Sequence, residues 1–409
     1  MAQIFDDRDV EIKGQYLAGK TLDFVITGGV AAIESPRFIR ELRRFGAEVR
    51  VWMTPSAEKF VSPLVFEWAS KRVVTTELSG IAEHISQSDA VVVAPCTLNF
   101  LSKMALGIAD TAAATLIQSA MGRMPVFIAP SMHVTLSESR SYERHRKSLA
   151  QLTNVFFLEP HSQESKLKMI SVESAVAVIC HELSARHLTK KAKAVVSLGP
   201  TRSPIDDVRY ISNHSTGALG LRIADEFFRR GFDVIAVVGP IQVSLPPYLH
   251  VVSVKTNQEM KRAMRAQVDR GADIAVFAAA VLDFDVAETS QGKLSSKKSV
   301  ELRLKPSPKL IDSIRSKNLK RVGFKLESGV SEKELLRRAQ DALKSQKVDL
   351  LVANRLEDVS AESHRAYLLT HGSSGVLKLS SREEIAQALA VFFESKFKGD
   401  LSRKSSRRA

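Results

Sequence analysis

Between Ser197 and Gly220 the chain reads SLGPTRSPIDDVRYISNHSTGALG, a loop dense in small hydrogen-bonding side chains with glycines near both ends. It begins where Lys193-Ala194-Val195-Val196-Ser197-Leu198 predicts a buried parallel strand that turns at Gly199-Pro200. It ends at Asn213-His214-Ser215-Thr216-Gly217, ahead of a helical pattern from Leu219 to Arg230. A loop at the carboxyl end of a strand and the amino end of a helix suits phosphate, because unpaired N–H groups and the helix dipole both face the ligand. Farther on, Ala278-Ala279-Ala280-Val281-Leu282-Asp283-Phe284 closes another apolar run with a carboxylate at its edge, and Lys293 follows ten residues later in GKLSS. Taken alone, Lys293 reads equally well as a surface lysine among other lysines. The amino-terminal half has its own strand-to-helix loop, Thr27-Gly28-Gly29-Val30, where a hydroxyl and unhindered glycines also suit a phosphate.

The elements that must position these residues form two α/β runs. In the first, strands are predicted at Thr21–Ile26, Glu48–Met53, Ala90–Val93 and Pro125–Ala129, with a short one at Val155–Leu158. Helical patterns lie between them at Ser35–Phe45, Pro55–Trp68 and from Asn99, and Ser171–Ser184 closes the unit. In the second, strands are predicted at Val195–Leu198, Val234–Val238, Val251–Val252, Ile274–Ala278, Val322–Phe324 and Leu350–Ala353, with a last helix over Arg382–Phe393. Apolar runs alternating with amphipathic helices indicate doubly wound parallel sheets. The expected class is α/β, with two Rossmann-like doubly wound parallel-sheet domains and no internal repeat. The expected boundaries are 1–186, a short basic linker at 187–193 (HLTKKAK), 194–394, and a basic disordered tail at 395–409.

Composition narrows the classes of function. At 409 residues two domains are the natural expectation, and 44% hydrophobic with 25% charged residues is ordinary for a soluble protein. No run approaches the roughly 18 to 20 apolar residues of a membrane span, and the polar amino terminus lacks a signal-peptide core. A cytoplasmic location without a membrane partner is the expectation. Cys96 and Cys180 form no disulfide framework and lack metal-ligand spacing, so each reads as a small buried hydrophobe and no metal site is assigned. Part of the net charge of +14 sits in the tail, where Lys396, Lys398, Arg403, Lys404, Arg407 and Arg408 oppose only Asp400. The remaining charge suits phosphorylated substrates. With aromatics at 6% and no aromatic-interleaved basic stripe, no nucleic-acid partner is expected.

The order GPTR…D..RYISN.S.G…G resembles the phosphopantothenate–cysteine ligase family. The resemblance continues in Asp283, with Lys293 at the family spacing, in the segment Gly323-Phe324-Lys325-Leu326-Glu327, and in Asn354. It implies that Gly199, Ala279, Asp283, Lys293 and Phe324 bind a nucleotide. Lys293 would meet the triphosphate, and Phe324 would lie against the base. The reaction implied is attack of the 4′-phosphopantothenate carboxylate on the α-phosphate of CTP or ATP, with Mg2+, giving an acyl-nucleotidylate and pyrophosphate. The cysteine amine then displaces the nucleotide. Cations are needed there to spread the charge leaving on pyrophosphate. Asn213 is the residue expected to orient the acyl intermediate, since its amide offers both donor and acceptor. Two departures stand out. Ala342 and Gln346 occupy positions where the family has lysines, with Lys344 and Lys347 nearby, and Ala218 stands where many relatives have a lysine.

The first half resembles the flavin-dependent cysteine decarboxylase family in Thr27-Gly28-Gly29, in Met53-Thr54, in Ala94-Pro95-Cys96-Thr97-Leu98-Asn99 and in Ala105-Leu106-Gly107-Ile108-Ala109-Asp110. The resemblance implies FMN, held by Thr27, Gly28, Gly29, Thr54, Thr97 and Asn99. It implies oxidation of the cysteinyl thiol, loss of carbon dioxide and reduction to 4′-phosphopantetheine. His84, in His84-Ile85, and His133, in Pro130-Ser131-Met132-His133, match the family's catalytic motifs, although His84 lies closer to Asp89 than the family spacing. Where the family carries a glycine-rich flap with a cysteine, this chain reads His161-Ser162-Gln163-Glu164-Ser165-Lys166-Leu167-Lys168-Met169. Without that thiol the reduction must use another acid or fail. Three readings follow: a bifunctional enzyme of coenzyme A biosynthesis, a monofunctional ligase on a silent flavin domain, and a non-catalytic regulatory protein. Three-fold contacts in such flavin domains and two-fold contacts in such ligase domains would close into a homo-oligomer, expected to be a dodecamer.

Overall fold

A computed structural model describes residues 6–163, 166–296, 299–360, 363–371 and 375–398. It divides the chain into two compact units, Met1–Leu183 and Ser184–Ala409. The first contains β1 (Thr21–Ile26), α1 (Ser35–Arg44), β2 (Glu48–Met53), α2 (Pro63–Ser70), β3 (Ala90–Cys96), α3 (Leu98–Leu106) and α4 (Ala112–Ala120). There follow β4 (Val126–Pro130), β5 (Met132–His133), α5 (Val134–Ser137), α6 (Arg140–Ala150), β6 (Val155–Phe157), β7 (His161–Gln163), β8 (Lys166–Lys168) and α7 (Val172–Ala185).

The main sheet runs β2-β1-β3-β4-β6, all parallel. Successive residues of a strand face opposite sides, so Phe24 and Ile26 join a core with α1, α2 and α7 while Val25 joins one with α3, α4 and α6. Both faces are covered, which is why these strands read as continuous apolar runs. Charged residues interrupt two of them, Asp23 in β1 and Glu48 and Arg50 in β2. Asp23 is fully buried, and accepts from Arg50 Nε and Nη2, both at 2.8 Å, from Trp52 Nε1 at 3.0 Å and from Ser86 Oγ.

The second unit contains β9 (Lys193–Leu198), β10 (Arg202–Pro204), β11 (Tyr210–Ser212), α8 (Ala218–Arg229), β12 (Asp233–Val238), β13 (His250–Ser253), α9 (Asn257–Asp269) and β14 (Ile274–Phe277). It continues with β15 (Phe284–Val286), β16 (Leu304–Pro306), α10 (Leu310–Ser313), β17 (Lys320–Glu327), α11 (Glu332–Ser345), β18 (Leu350–Arg355), β19 (Ala366–Thr370), β20 (Leu377–Leu379) and α12 (Arg382–Phe397). The sheet order is β13-β12-β9-β14-β17-β18-β19-β20. Val196 and Leu198 pack toward α8 and α12, and Val195 toward α9 and α11. The sheet is parallel from β13 to β18, but β19 and β20 extend it antiparallel, an addition to the all-parallel expectation.

Two boundaries differ from the sequence reading. The segment read as a linker is docked on the second unit: Ala192 is fully buried, and Leu188 and Thr189 pair with Lys398 and Phe397. The last helix runs through Phe397, whose ring meets Phe232 edge-on at 6.1 Å, so apolar packing carries the helix into the segment expected to be tail. The remainder of that tail, 399–409, lies outside the described residues.

Candidate functional site

In the first unit a cavity of about 1010 Å3 opens at the carboxyl ends of β1, β2, β3 and β4. This is the crevice where an open parallel sheet binds ligands, at the point where strand order reverses between β1 and β3. All six residues expected to hold FMN line it: Thr27, Gly28, Gly29, Thr54, Thr97 and Asn99. Their positions are set locally. Thr27 Oγ1 donates to the Pro95 carbonyl at 2.8 Å and accepts from Thr97 N–H at 3.1 Å, which locks the ends of β1 and β3 together. Thr97 also caps α3 by accepting from Phe100 N–H. Gly28 is required sterically, since a Cβ there would sit 2.3 Å from Ser56 Cβ. Bare peptide and hydroxyl groups on one wall, with Val30, Ile33 and Leu136 on others, fit a ligand having a polar phosphate chain and a flat ring.

His133 reaches the same cavity. Its Nδ1 lies 2.9 Å from Thr135 Oγ1 and accepts from Thr135 N–H at 3.3 Å, so it caps α5. His84 is not among the cavity-lining residues. Its carbonyl accepts from Ser119 Oγ, and Ser86 two residues on is fastened to Asp23, so the segment is tied to the body of the unit. The sequence HSQESKLKM builds β7 and β8, and β8 pairs antiparallel with β5 (Met132↔Leu167, His133↔Lys166). Leu167, Lys168 and Met169 thereby enter the cavity wall. Glu164 and Ser165 lie outside the described residues. Sequence reasoning also missed Ser56, Arg37 and Glu173 at the cavity, the last two an ion pair. No motif marked them, because they arrive from separate elements. Cys96 and Cys180 are both buried, and burial pushes the Cys96 thiol up.

In the second unit Gly199 ends β9 in the left-handed region (φ 78°), where a Cβ would lie 2.6 Å from Ile241 Cγ2. Gly217 is the N-cap of α8, so the amides opening this helix lie beside Gly199. The loop and the strand end at Ala278–Ala280 are knitted together. Pro200 bridges Ala280, and Asn213 Nδ2 donates to the carbonyls of Ala280 at 3.2 Å and Val281 at 3.1 Å. Ala279, half-buried, directly precedes these contacts. The buried Thr201 and Asn257 both accept from Leu282 N–H, and Asn257 Nδ2 returns to the Leu282 carbonyl at 2.9 Å. Asp283 follows directly and is exposed, beyond the end of β14 and just ahead of β15.

Lys293 is also exposed, in a segment held by its neighbours: Leu294 N–H donates to Asp206 and Gly292 N–H to Asp207. Arg209 joins this knot through Asp206 and the Leu294 carbonyl, both at 3.3 Å. Phe324 is half-buried on β17, and Glu327 is held below the usual carboxylate range by Lys325, at 2.9 Å, and Arg338, at 2.7 Å. Asn354 is buried on β18 opposite Leu326. Where the resembled family has lysines, Ala342 faces the core and the Gln346 carbonyl accepts from Arg321 at 2.9 Å, while Lys344 and Lys347 are exposed.

Comparison with known proteins agrees with both halves. A family model described as DNA/pantothenate metabolism flavoprotein C-terminal domain matches residues 189–395, and one described as Flavoprotein matches residues 12–184. The coenzyme A biosynthesis bifunctional protein CoaBC of Thermococcus kodakarensis is 34% identical over 388 residues, spanning 92% of this chain and 95% of that protein. The protein of the same name from Methanocaldococcus jannaschii is 33% identical over 350 residues, spanning 84% of this chain and 85% of that one. Among solved structures, a DNA/pantothenate metabolism flavoprotein from Streptococcus pneumoniae is 26% identical with a TM-score of 0.47, covering 50% of this chain and 99% of its own. The chain belongs to the family of bifunctional coenzyme A biosynthesis proteins of the CoaBC type.

Proposed function

We propose that this chain joins cysteine to 4′-phosphopantothenate in its second unit and decarboxylates the product in its first. The observation that carries the ligase reading is the knot at the end of β9, where Asn213 is fixed against the Ala280 and Val281 carbonyls beside the amino end of α8. Gly199 and Ala279 leave room for the nucleotide, Asp283 lies at its edge, and Phe324 faces its base. CTP and ATP are both accommodated by this assignment. Lys293 neutralises charge on the triphosphate, and Mg2+ is carried mainly on the phosphate oxygens. The Asn213 amide turns its donors toward the two carbonyls, so its Oδ1 is the atom left to orient the acyl-nucleotidylate or the incoming amine.

The first-unit cavity takes FMN, with Thr27, Gly28 and Gly29 at the phosphate and Thr54, Thr97 and Asn99 along the ribityl chain and ring edge. FMN, when bound, supplies the electron acceptor for the cysteinyl thiol. His133 reaches the cavity and is placed to hold the substrate carboxylate. The experiment is incubation of the purified chain, loaded with FMN, with 4′-phosphopantothenate, cysteine, Mg2+ and either CTP or ATP, followed by mass spectrometry. Successive appearance of the cysteine amide and its decarboxylated product supports both assignments. Amide without further loss of carbon dioxide would reject the second, and no amide would reject the first.

A further inference from the structure

We infer that Asp206 is the positioning residue that couples the Lys293 segment to the Asn213 loop, an inference that rests on the ligase reading above. Asp206 is 3% exposed, and its printed ion-pair partner among the described residues is Arg209. Its Oδ1 accepts from the backbone N–H groups of Val208 at 2.8 Å and Arg209 at 2.6 Å, closing the turn that leads into β11 and Asn213. Its Oδ2 accepts from Leu294 N–H at 3.0 Å, across 88 residues of sequence, and from Arg209 Nη1 at 3.3 Å. Burial would raise this carboxyl, but the three backbone donors and the Arg209 charge hold it below the usual range. A buried, ionised acceptor with four donors is a strong tether, because each of those hydrogen bonds is charge-assisted.

The tether has company. Asp207 Oδ2 accepts from Gly292 N–H at 2.9 Å, Ser290 N–H donates to the Ile205 carbonyl at 3.0 Å, and Ser203 Oγ accepts from Val286 N–H at 2.9 Å. The exposed Lys293 therefore stands between two residues whose backbone N–H groups are each fixed to a carboxylate of the opposite loop. Its own side chain is free to meet a triphosphate while its backbone is not free to wander. Positioning of a charge against a reacting phosphate governs rate steeply, since misplacement of about 1 Å can cost roughly a hundredfold.

The substitution Asp206→Asn separates the two halves of the tether. The amide oxygen still accepts from Val208 and Arg209, but the amide nitrogen turns donor against Leu294 N–H and the Arg209 guanidinium. The expected result is a rate of pyrophosphate release lowered roughly ten- to a hundredfold, a 4′-phosphopantothenate KM within about twofold of wild type, and no further loss when the change is added to Lys293→Gln. Hydrogen exchange read by mass spectrometry gives the activity-independent test: peptides spanning 290–296 lose protection while those from β9 and α8 keep it. Additive losses in the double variant, or equal loss of protection in β9 and α8, would overturn the coupling alone. A silent Lys293→Gln together with a silent Asp206→Asn would overturn this inference through the role of Lys293, whereas failure of the unmodified chain to form the amide would overturn the ligase reading on which it rests.

Discussion

Replacing Gly28 by alanine should empty the first cavity of flavin while leaving the ligase untouched. The added methyl carbon would lie 2.3 Å from Ser56 Cβ, 2.8 Å from the Ser56 carbonyl carbon and 2.9 Å from its oxygen. Ordinary carbon contacts are about 3.5–4.0 Å, so the two loops must part by roughly 1 Å. Two of the atoms met are backbone, which no rotamer change relieves. Overpacking of this kind costs about 1–3 kcal/mol. At about 2–4 °C per kcal/mol, the melting temperature of the first unit falls by roughly 2–12 °C. Both loops line the cavity, so the same displacement separates donors from the flavin phosphate. A loss of one to two hydrogen bonds to a charged group, about 1.5–3 kcal/mol each, weakens FMN by at least about tenfold. The assay is titration of apo-protein by quenching of FMN fluorescence, with differential scanning calorimetry and pyrophosphate release measured in parallel. Adding Ser56→Gly, which removes the nearest contact, should restore part of the affinity. An FMN Kd within twofold of wild type and an unshifted melt would refute the steric reading of this loop.

Three further outcomes are expected. Asn213→Asp sets a carboxylate oxygen against the Ala280 and Val281 carbonyls, so nucleotide binding should survive while amide formation drops roughly a hundredfold or more and acyl-nucleotidylate accumulates; rapid-quench chromatography reads this, and a normal amide rate refutes it. His364 is 8% exposed, and neither ring nitrogen has a hydrogen-bond partner among the described residues. Burial, aided by Arg382, lowers its pKa below the ordinary 6.5, so the unfolded state binds its proton first and stability falls as pH drops through that value. Thermal melts between roughly pH 7.5 and 5.5 should therefore be shallower in pH for His364→Phe than for wild type, and identical slopes would contradict the assignment. Light scattering at micromolar concentration should give a large closed oligomer, expected to be a dodecamer; a stable monomer would exclude it.

Much of the sheet scaffold was legible because strands buried on both faces read as largely apolar runs. Thr21–Ile26 and Glu48–Met53 appear in the structure with the bounds the sequence suggested. The strands β5, β7 and β8 were not legible. Each has two or three residues, and His161-Ser162-Gln163 and Lys166-Leu167-Lys168 carry no apolar period. The strand Ala366–Thr370 was missed as well, and an apolar run of that length does not say whether it returns parallel or antiparallel. The helix α6 was hidden by its charge: only Tyr142, His145 and Leu149 of RSYERHRKSLA are buried. At the sites, residues bound to a glycine loop could be found from local pattern. Asp206 stood in the GPTR…D..RYISN pattern without a role, and Asn257 and Ser56 stood in none, because their importance lies in partners far away in the chain: Leu294, Leu282 and Gly28.

If the second unit activates a carboxylate by nucleotidyl transfer and passes it to cysteine, the nucleotide phosphates must follow one fate during amide synthesis. With 4′-phosphopantothenate, cysteine, Mg2+ and CTP or ATP, one pyrophosphate and one nucleoside monophosphate should appear for every 4′-phosphopantothenoylcysteine formed, and pyrophosphate release should require 4′-phosphopantothenate. Release of inorganic phosphate with nucleoside diphosphate, or pyrophosphate formed equally well without the acid, would contradict the account.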